Sequence, residues 1–233
     1  MTHGVISVVQ ARMGSSRLRG KSMLNVGHKL LIDHVIERAL NAKEVDRVYL
    51  ATTDLLEDNV LAKHVSENYP VLIHRGSDSD VRSRFLEILT NDEAEVVVRI
   101  TADDPFKDPN ETDVLIRMLK AEKLDYICNF IPQSMPVGLD VEVFTSFALF
   151  DSAAYFDTPQ DKEHVTWNMR TQRYKWRSQN SQKFRPEIRL TVDNQSDLYY
   201  CSEIANIIHQ NSLGVSVTDT RRAIEIREGG EKS

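Results

Sequence analysis

The strongest constraint on this chain is the alternation, through its first half, of short β-branched runs with stretches of helical periodicity. Val5 to Ala11, Arg47 to Thr53, Val71 to His74, Val96 to Thr101 and Tyr126 to Asn129 are bounded by polar turns, which predicts strands. Between them lie Leu30 to Asn41, Glu57 to Asn68, Val81 to Thr90 and Asn110 to Glu122. In the first of these Ile32, Ile36, Ala39 and Leu40 recur at helical spacing, and Val114, Leu115, Met118 and Leu119 do so in the last. Such a series predicts an α/β fold, a mostly parallel sheet sandwiched by helices, with ligands at the carboxyl ends of the strands.

Beyond residue 130 the alternation loosens. Pro132, Pro136 and Gly138 introduce a turn before a strand at Asp140 to Phe144, and a helix follows over Ser146 to Phe156. Asp161 to Arg170 is helical in character, Gln172 to Arg185 is polar and basic, and Glu187 to Val192 reads as a strand leading into a helix over Ser196 to His209. This half is expected to extend the sheet and carry an acceptor-binding or dimer-forming insertion. The expectation is one domain over residues 1–228, its nucleotide-binding half ending near residue 130, with a disordered tail over 229–233.

The 233 residues are 41% apolar and 27% charged, an ordinary globular balance. No apolar run approaches the roughly 20 residues that cross a bilayer, and the start of the chain reads as a strand rather than a signal peptide, so a cytoplasmic protein without a membrane partner is expected. Cys128 and Cys201 lie in no metal or redox pattern and are expected to be buried. A net charge of −6 disfavours a nucleic-acid binder. Against that acidic background Arg12, Arg17, Arg19 and Lys21 form a local basic loop with no acidic residue among them, which suits a small polyanion.

That loop, Gln10-Ala11-Arg12-Met13-Gly14-Ser15-Ser16-Arg17-Leu18-Arg19-Gly20-Lys21, directly follows the first predicted strand. Small residues let backbone N–H groups approach a phosphate chain, and the cations supply charge. It matches neither the Walker A pattern nor the dinucleotide fingerprint. On spacing alone, a phosphate cradle and a solvated basic turn both remain open.

The segment resembles the Q-A-R-x-G-S-x-R-L-P-G-K signature of the cytidylyltransferases that activate acidic sugars, in particular the spore coat polysaccharide biosynthesis protein F group. The resemblance continues through His74-Arg75-Gly76-Ser77, Asp80-Val81, Arg84-Phe85, Arg99 to Pro105, Gly138 to Phe144, Glu163-His164-Val165-Thr166 and Arg189 to Asp193. Arg19 departs from the family's proline, and Ala102 from the glycine before its metal-binding aspartate.

The resemblance implies a nucleotide-diphospho-sugar transferase (glycosyltransferase-A-like) fold, commonly homodimeric. It implies transfer of CMP from CTP to a sugar or sugar acid for surface polysaccharide or glycoconjugate synthesis, with Mg²⁺ as cofactor. Ala11, Arg12, Gly14, Ser15, Arg17 and Lys21 would hold the nucleotide, joined by Arg75, Gly76 and Ser77 from a second loop. Arg12, Lys21 and Asp103 would be catalytic, and Asp103 and Asp193 would hold the metal. Without the resemblance, Asp193 reads as a helix cap. Asp140 and Glu142 alternate with apolar residues and so share one strand face, which suits either an acceptor pocket, with His164, or a half-exposed edge. The alternatives are a glycosyltransferase using a nucleotide-sugar donor, whose D-x-D motif Asp103-Asp104-Pro105 does not match, and a catalytically silent nucleotide-binding subunit.

Overall fold

A computed structural model describes residues 4–179 and 184–229; the predicted tail beyond Gly229 lies outside them. The chain runs β1 (Gly4–Gln10), a two-strand hairpin of β2 (Asn25–Val26) and β3 (Lys29–Leu30), α1 (Leu31–Leu40), β4 (Arg47–Thr53), α2 (Asn59–Asn68), β5 (Leu72–Gly76), α3 (Val81–Asn91), β6 (Ala94–Thr101) and α4 (Pro109–Glu122). It continues with β7 (Tyr126–Cys128), β8 (Glu142–Thr145), α5 (Ser146–Tyr155), α6 (Pro159–His164), β9 (Trp176–Ser178), α7 (Gln195–Gln210) and α8 (Val217–Arg227).

Seven strands form one sheet in the order β5-β4-β1-β6-β8-β7-β9. The first four are mutually parallel, and β8 runs antiparallel to both its neighbours, giving the mixed, mostly parallel sheet that the sequence predicts. Side-chain alternation along β1 divides the core. Val5 and Val9 pack with Ile36 of α1, Leu61 of α2 and Leu115 of α4, while Ile6 and Val8 pack with Phe85 of α3 and Leu149 of α5. From β1 the chain winds outward through β4 to β5, then crosses back to β6 on the other side of β1. The carboxyl ends of β1 and β6 therefore flank the point where the winding reverses, the place where open α/β sheets leave a crevice.

Three expectations change. Glu187 to Val192 is not a strand: the Leu190 N–H goes to Val137 O and the Val192 N–H to Asp103 O, so its donors serve two different segments and no ladder forms. The helical stretch from Asp161 to Arg170 divides at Val165, whose φ of 51° interrupts a right-handed helix, leaving α6 and a short turn over Trp167–Arg170. The half-exposed-edge alternative for Asp140 and Glu142 fails, because β8 lies between β6 and β7. α8 was not anticipated, although Ser216 and Asp219 spell its capping box.

Candidate active site

At the ends of β1 and β6 lies a cavity of about 280 Å³. The basic loop crosses its mouth and is tied down by backbone chemistry. Asp58, buried beside β4, accepts the Met13 N–H at 2.6 Å and the Thr53 hydroxyl, and the Gly20 N–H returns to Met13 O at 2.8 Å. Gly20 has φ 71°, a left-handed conformation that glycine adopts without strain, and it turns the chain so that Lys21 points back into the cavity.

Lys21 Nζ donates to Asp103 Oδ2 at 3.0 Å, to Asp193 Oδ1 at 3.2 Å and to the Val192 carbonyl at 2.7 Å. Arg17 reaches Asp193 Oδ1 at 2.8 Å and Arg189 its Oδ2 at 2.9 Å. The two aspartates thus converge on one cationic centre. Asp103 leaves the end of β6, whereas Asp193 ends no strand: it enters α7, docked by the 2.8 Å bond from Val192 N–H to Asp103 O. Its capping alternative also falls away, because Asn194 is the residue that caps α7. Burial and the adjacent Asp104 charge push the Asp103 carboxyl up. Asp104 turns away to Lys107 at 2.9 Å and the Thr101 hydroxyl at 2.5 Å; burial works against its charge, but these partners outweigh it and hold the carboxyl down.

Among the described residues no group of three or more histidine, cysteine, aspartate or glutamate side chains could hold a metal. Two carboxylates facing one positive centre still fit Mg²⁺, a hard cation that takes one or two carboxylates and completes its shell with water and substrate phosphates.

The other predicted residues divide. Ala11, Arg12, Ser15 and Arg17 line the cavity, with Arg12 also paired to Asp78 at 2.6 Å. Gly14 does not line it: a side chain there would meet Glu57 instead, 3.1 Å from the position of its Cβ. Arg75, Gly76 and Ser77 do not line it either. Arg75 donates to the Thr53 and Leu55 carbonyls and to Asn59, and the Ser77 hydroxyl accepts the Asp80 N–H. Gly76 packs beside Arg84, a cavity residue: a Cβ there would lie 3.0 Å from Arg84 Cγ. Gln10, Ser22, Arg84 and Glu163 line the cavity unanticipated. Arg84 and Glu163 stood within the recognised motifs, which was the available signal. Of the two departures, Arg19 pairs with Glu57 at 2.6 Å on the surface, and Ala102 is a buried cavity residue with no positive φ, so its methyl group needs no glycine geometry.

A second cavity, about 230 Å³, shares Thr101 with the first. Asp140, Glu142 and His164 all line it, as do Lys107 and Arg170. Glu142 is fully enclosed in a network, taking Arg99 at 2.5 Å, the Tyr126 hydroxyl at 2.7 Å and the Thr166 hydroxyl at 2.5 Å. Burial alone would raise its carboxyl, yet Arg99 and the hydroxyls hold it low. Burial pushes the Asp140 carboxyl up, against the nearby Lys107 charge.

The deciding observation comes from comparison with known families: the cytidylyltransferase model matches residues 6–216. The chain belongs to the cytidylyltransferase family. It is thereby a CTP-dependent nucleotidyltransferase. This cytidylyltransferase is 33% identical over 203 residues to the spore coat polysaccharide biosynthesis protein SpsF of Bacillus subtilis (strain 168), covering 83% of the chain and 82% of the relative. It is 30% identical over 120 residues to a 3-deoxy-manno-octulosonate cytidylyltransferase of Escherichia coli, covering 52% of the chain and 47% of the relative. A solved cytidylyltransferase from Leptospira borgpetersenii serovar Hardjo-bovis (strain JB197) superposes with a TM-score of 0.87 at 25% identity, over 97% of this chain and 95% of the other. The fold is thus that of the nucleotide-diphospho-sugar transferases. No helix among the described residues is long and apolar enough to cross a membrane.

Proposed function

We propose that this enzyme transfers CMP from CTP to a free hydroxyl of a sugar or sugar acid, with Mg²⁺ as cofactor, for surface polysaccharide or glycoconjugate synthesis. The observation that carries the reading is the convergence of Lys21, Asp103 and Asp193 at the rim of the first cavity, with Arg12 and Arg17 beside them. Arg12 and Arg17 hold the triphosphate, and Lys21 faces the bond that breaks. Asp103 and Asp193 would hold Mg²⁺, which supplies charge neutralisation on the phosphate chain when bound. The acceptor oxygen bonds to the α-phosphorus while the bond from that phosphorus to the pyrophosphate oxygen breaks, the electron pair leaving with pyrophosphate and the hydroxyl proton passing to solvent. A compact ammonium at Lys21 stabilises the charge that develops there.

The second cavity suits the acceptor. It adjoins the first at Thr101, and its lining of Asp140, His164, Lys107 and Arg170 offers donors and acceptors to a polyhydroxylated molecule. Glu142 supports that wall from within rather than reaching a ligand, since its oxygens are taken by Arg99, Tyr126 and Thr166. The sugar-acid class draws support from the Escherichia coli relative. A cytoplasmic location, where CTP is available, and a homodimeric state complete the proposal.

Incubation with CTP, Mg²⁺ and a panel of sugar acids, with mass detection, is the test. A CMP-sugar formed with equimolar pyrophosphate supports the reading. Consumption of a nucleotide-sugar donor without pyrophosphate release overturns it in favour of glycosyl transfer.

A further inference from the structure

Arg84 is a buried cation in the nucleotide cavity to which the reaction above gives no task. It is 2% exposed and shares the cavity wall with Val81 at the start of α3. Its Nη1 donates to the Ala51 carbonyl at 2.9 Å, while its Nε is buried without a hydrogen-bond partner. The carboxylates whose charge it feels are Asp78, Glu163 and Asp58; Asp78 is paired with Arg12 and Asp58 is bonded to Met13 and Thr53. Glu163 lines the same cavity, but no carboxylate among the described residues lies within ion-pair distance of Arg84. Burial first, and then the nearby Arg12 charge, push the Arg84 pKa down. The first turn of a helix is also the wrong end for a cation, because the aligned peptide dipoles are positive there. A buried, underpaired cation is costly and persists where a ligand completes it.

Its position identifies the part of the ligand. Ala51 O also accepts the Ala11 N–H at 3.2 Å, which sets Arg84 against β4, on the side of β1 opposite to β6. Lys21, Asp103 and Asp193, set by the reaction above at the bond that breaks, lie on the β6 side. The β4 end is left for the base.

We propose that Arg84 is a specificity-determining residue that reads the pyrimidine edge, donating to O2 and N3 of cytosine and so selecting CTP over UTP. The proposal rests on the cytidylyltransferase reading of this cavity. Cytosine presents acceptors at both atoms, whereas uracil carries N–H at N3, which would set one donor against another. A site built on buried hydrogen bonds rejects an analogue that cannot complete them far more strongly than an apolar pocket does.

Titration calorimetry with CTP, UTP, cytidine and inorganic pyrophosphate, on wild type, Arg84→Met and Arg84→Lys, is the test, with circular dichroism to confirm folding. Arg84→Met should weaken CTP and cytidine alike by about 10- to 100-fold, bring CTP and UTP to near parity, and leave pyrophosphate unchanged. Arg84→Lys keeps the charge and loses the planar fork, so it should stay folded and lose the same discrimination. A parallel loss of CTP and pyrophosphate with cytidine unchanged would make Arg84 a phosphate contact and overturn the proposal. So would an Arg84→Lys protein that keeps the wild-type preference for CTP. Wild-type protein binding none of the four ligands would instead overturn the nucleotide reading beneath it.

Discussion

Replacing Lys21 with alanine removes the cation that touches both Asp103 and Asp193. The pairs are 3.0 and 3.2 Å long, and the three side chains are 13%, 29% and 13% exposed, between the surface and fully buried limits. Exposed pairs contribute up to about 1 kcal/mol and breaking a buried pair costs about 3–5, so this loss should cost about 2 kcal/mol. For a chain of this size that lowers Tm by roughly 4–8 °C. Arg17 and Arg189 still hold Asp193, but Asp103 is left without its partner. Added Mg²⁺ should therefore raise the variant's Tm more than the wild type's. In catalysis the missing charge matters most as the pyrophosphate bond breaks, so kcat should fall by about 10²- to 10³-fold while KM for CTP changes little. Thermal unfolding with and without Mg²⁺, together with pyrophosphate-release kinetics, reads both effects. A normal kcat with a raised KM would make Lys21 a uniform binding contact, and an unchanged Tm would refute the ion-pair argument.

Two further outcomes follow from buried groups away from the transferred phosphorus. His34 is 8% exposed, and burial, aided by the Arg38 charge, lowers its pKa to about 4. The unfolded chain takes up that proton near pH 6.5, so stability is full above that pH and falls as the pH drops towards 4, by up to about 3 kcal/mol. Tm measured from pH 7.5 to 4.5 should fall more steeply for wild type than for His34→Gln; equal slopes would contradict this. Asp104→Asn strips the buried Lys107 of its carboxylate and should cost roughly 3 kcal/mol in denaturant unfolding while leaving metal affinity near normal, since Asp104 faces away from Lys21. A large loss of Mn²⁺ affinity in that variant would place Asp104 in the metal site.

The parallel half was legible because each strand there is a dense β-branched run and each helix repeats its apolar face. Arg47 to Thr53 matches the observed strand residue for residue. Ile188, Leu190 and Val192 mimic that pattern because they too are buried, yet burial came from packing under α7 and α8 rather than from a sheet. The first loop was readable because its cations and small residues are contiguous. Arg84 was missed because a motif match carries no side-chain direction. An arginine in an amphipathic helix ordinarily reads as a solvated face, and only the docking of α3 against the end of β4 turns this one inward. Likewise the meeting of Asp103 with Asp193 depends on the bond between Val192 and the Asp103 carbonyl, a contact between distant segments that no local pattern encodes.

In the proposed reaction Asp103 and Asp193 jointly make this cavity competent for cytidylyl transfer. Pyrophosphate release from CTP with a sugar-acid acceptor at increasing Mg²⁺ tests it most directly, comparing wild type with Asp103→Asn and Asp193→Asn confirmed as folded by circular dichroism. Acceptor-dependent release by wild type is expected, with rates lower by about three orders of magnitude in both variants through loss of an anionic metal ligand. Folded variants that release pyrophosphate at near wild-type rates would contradict it.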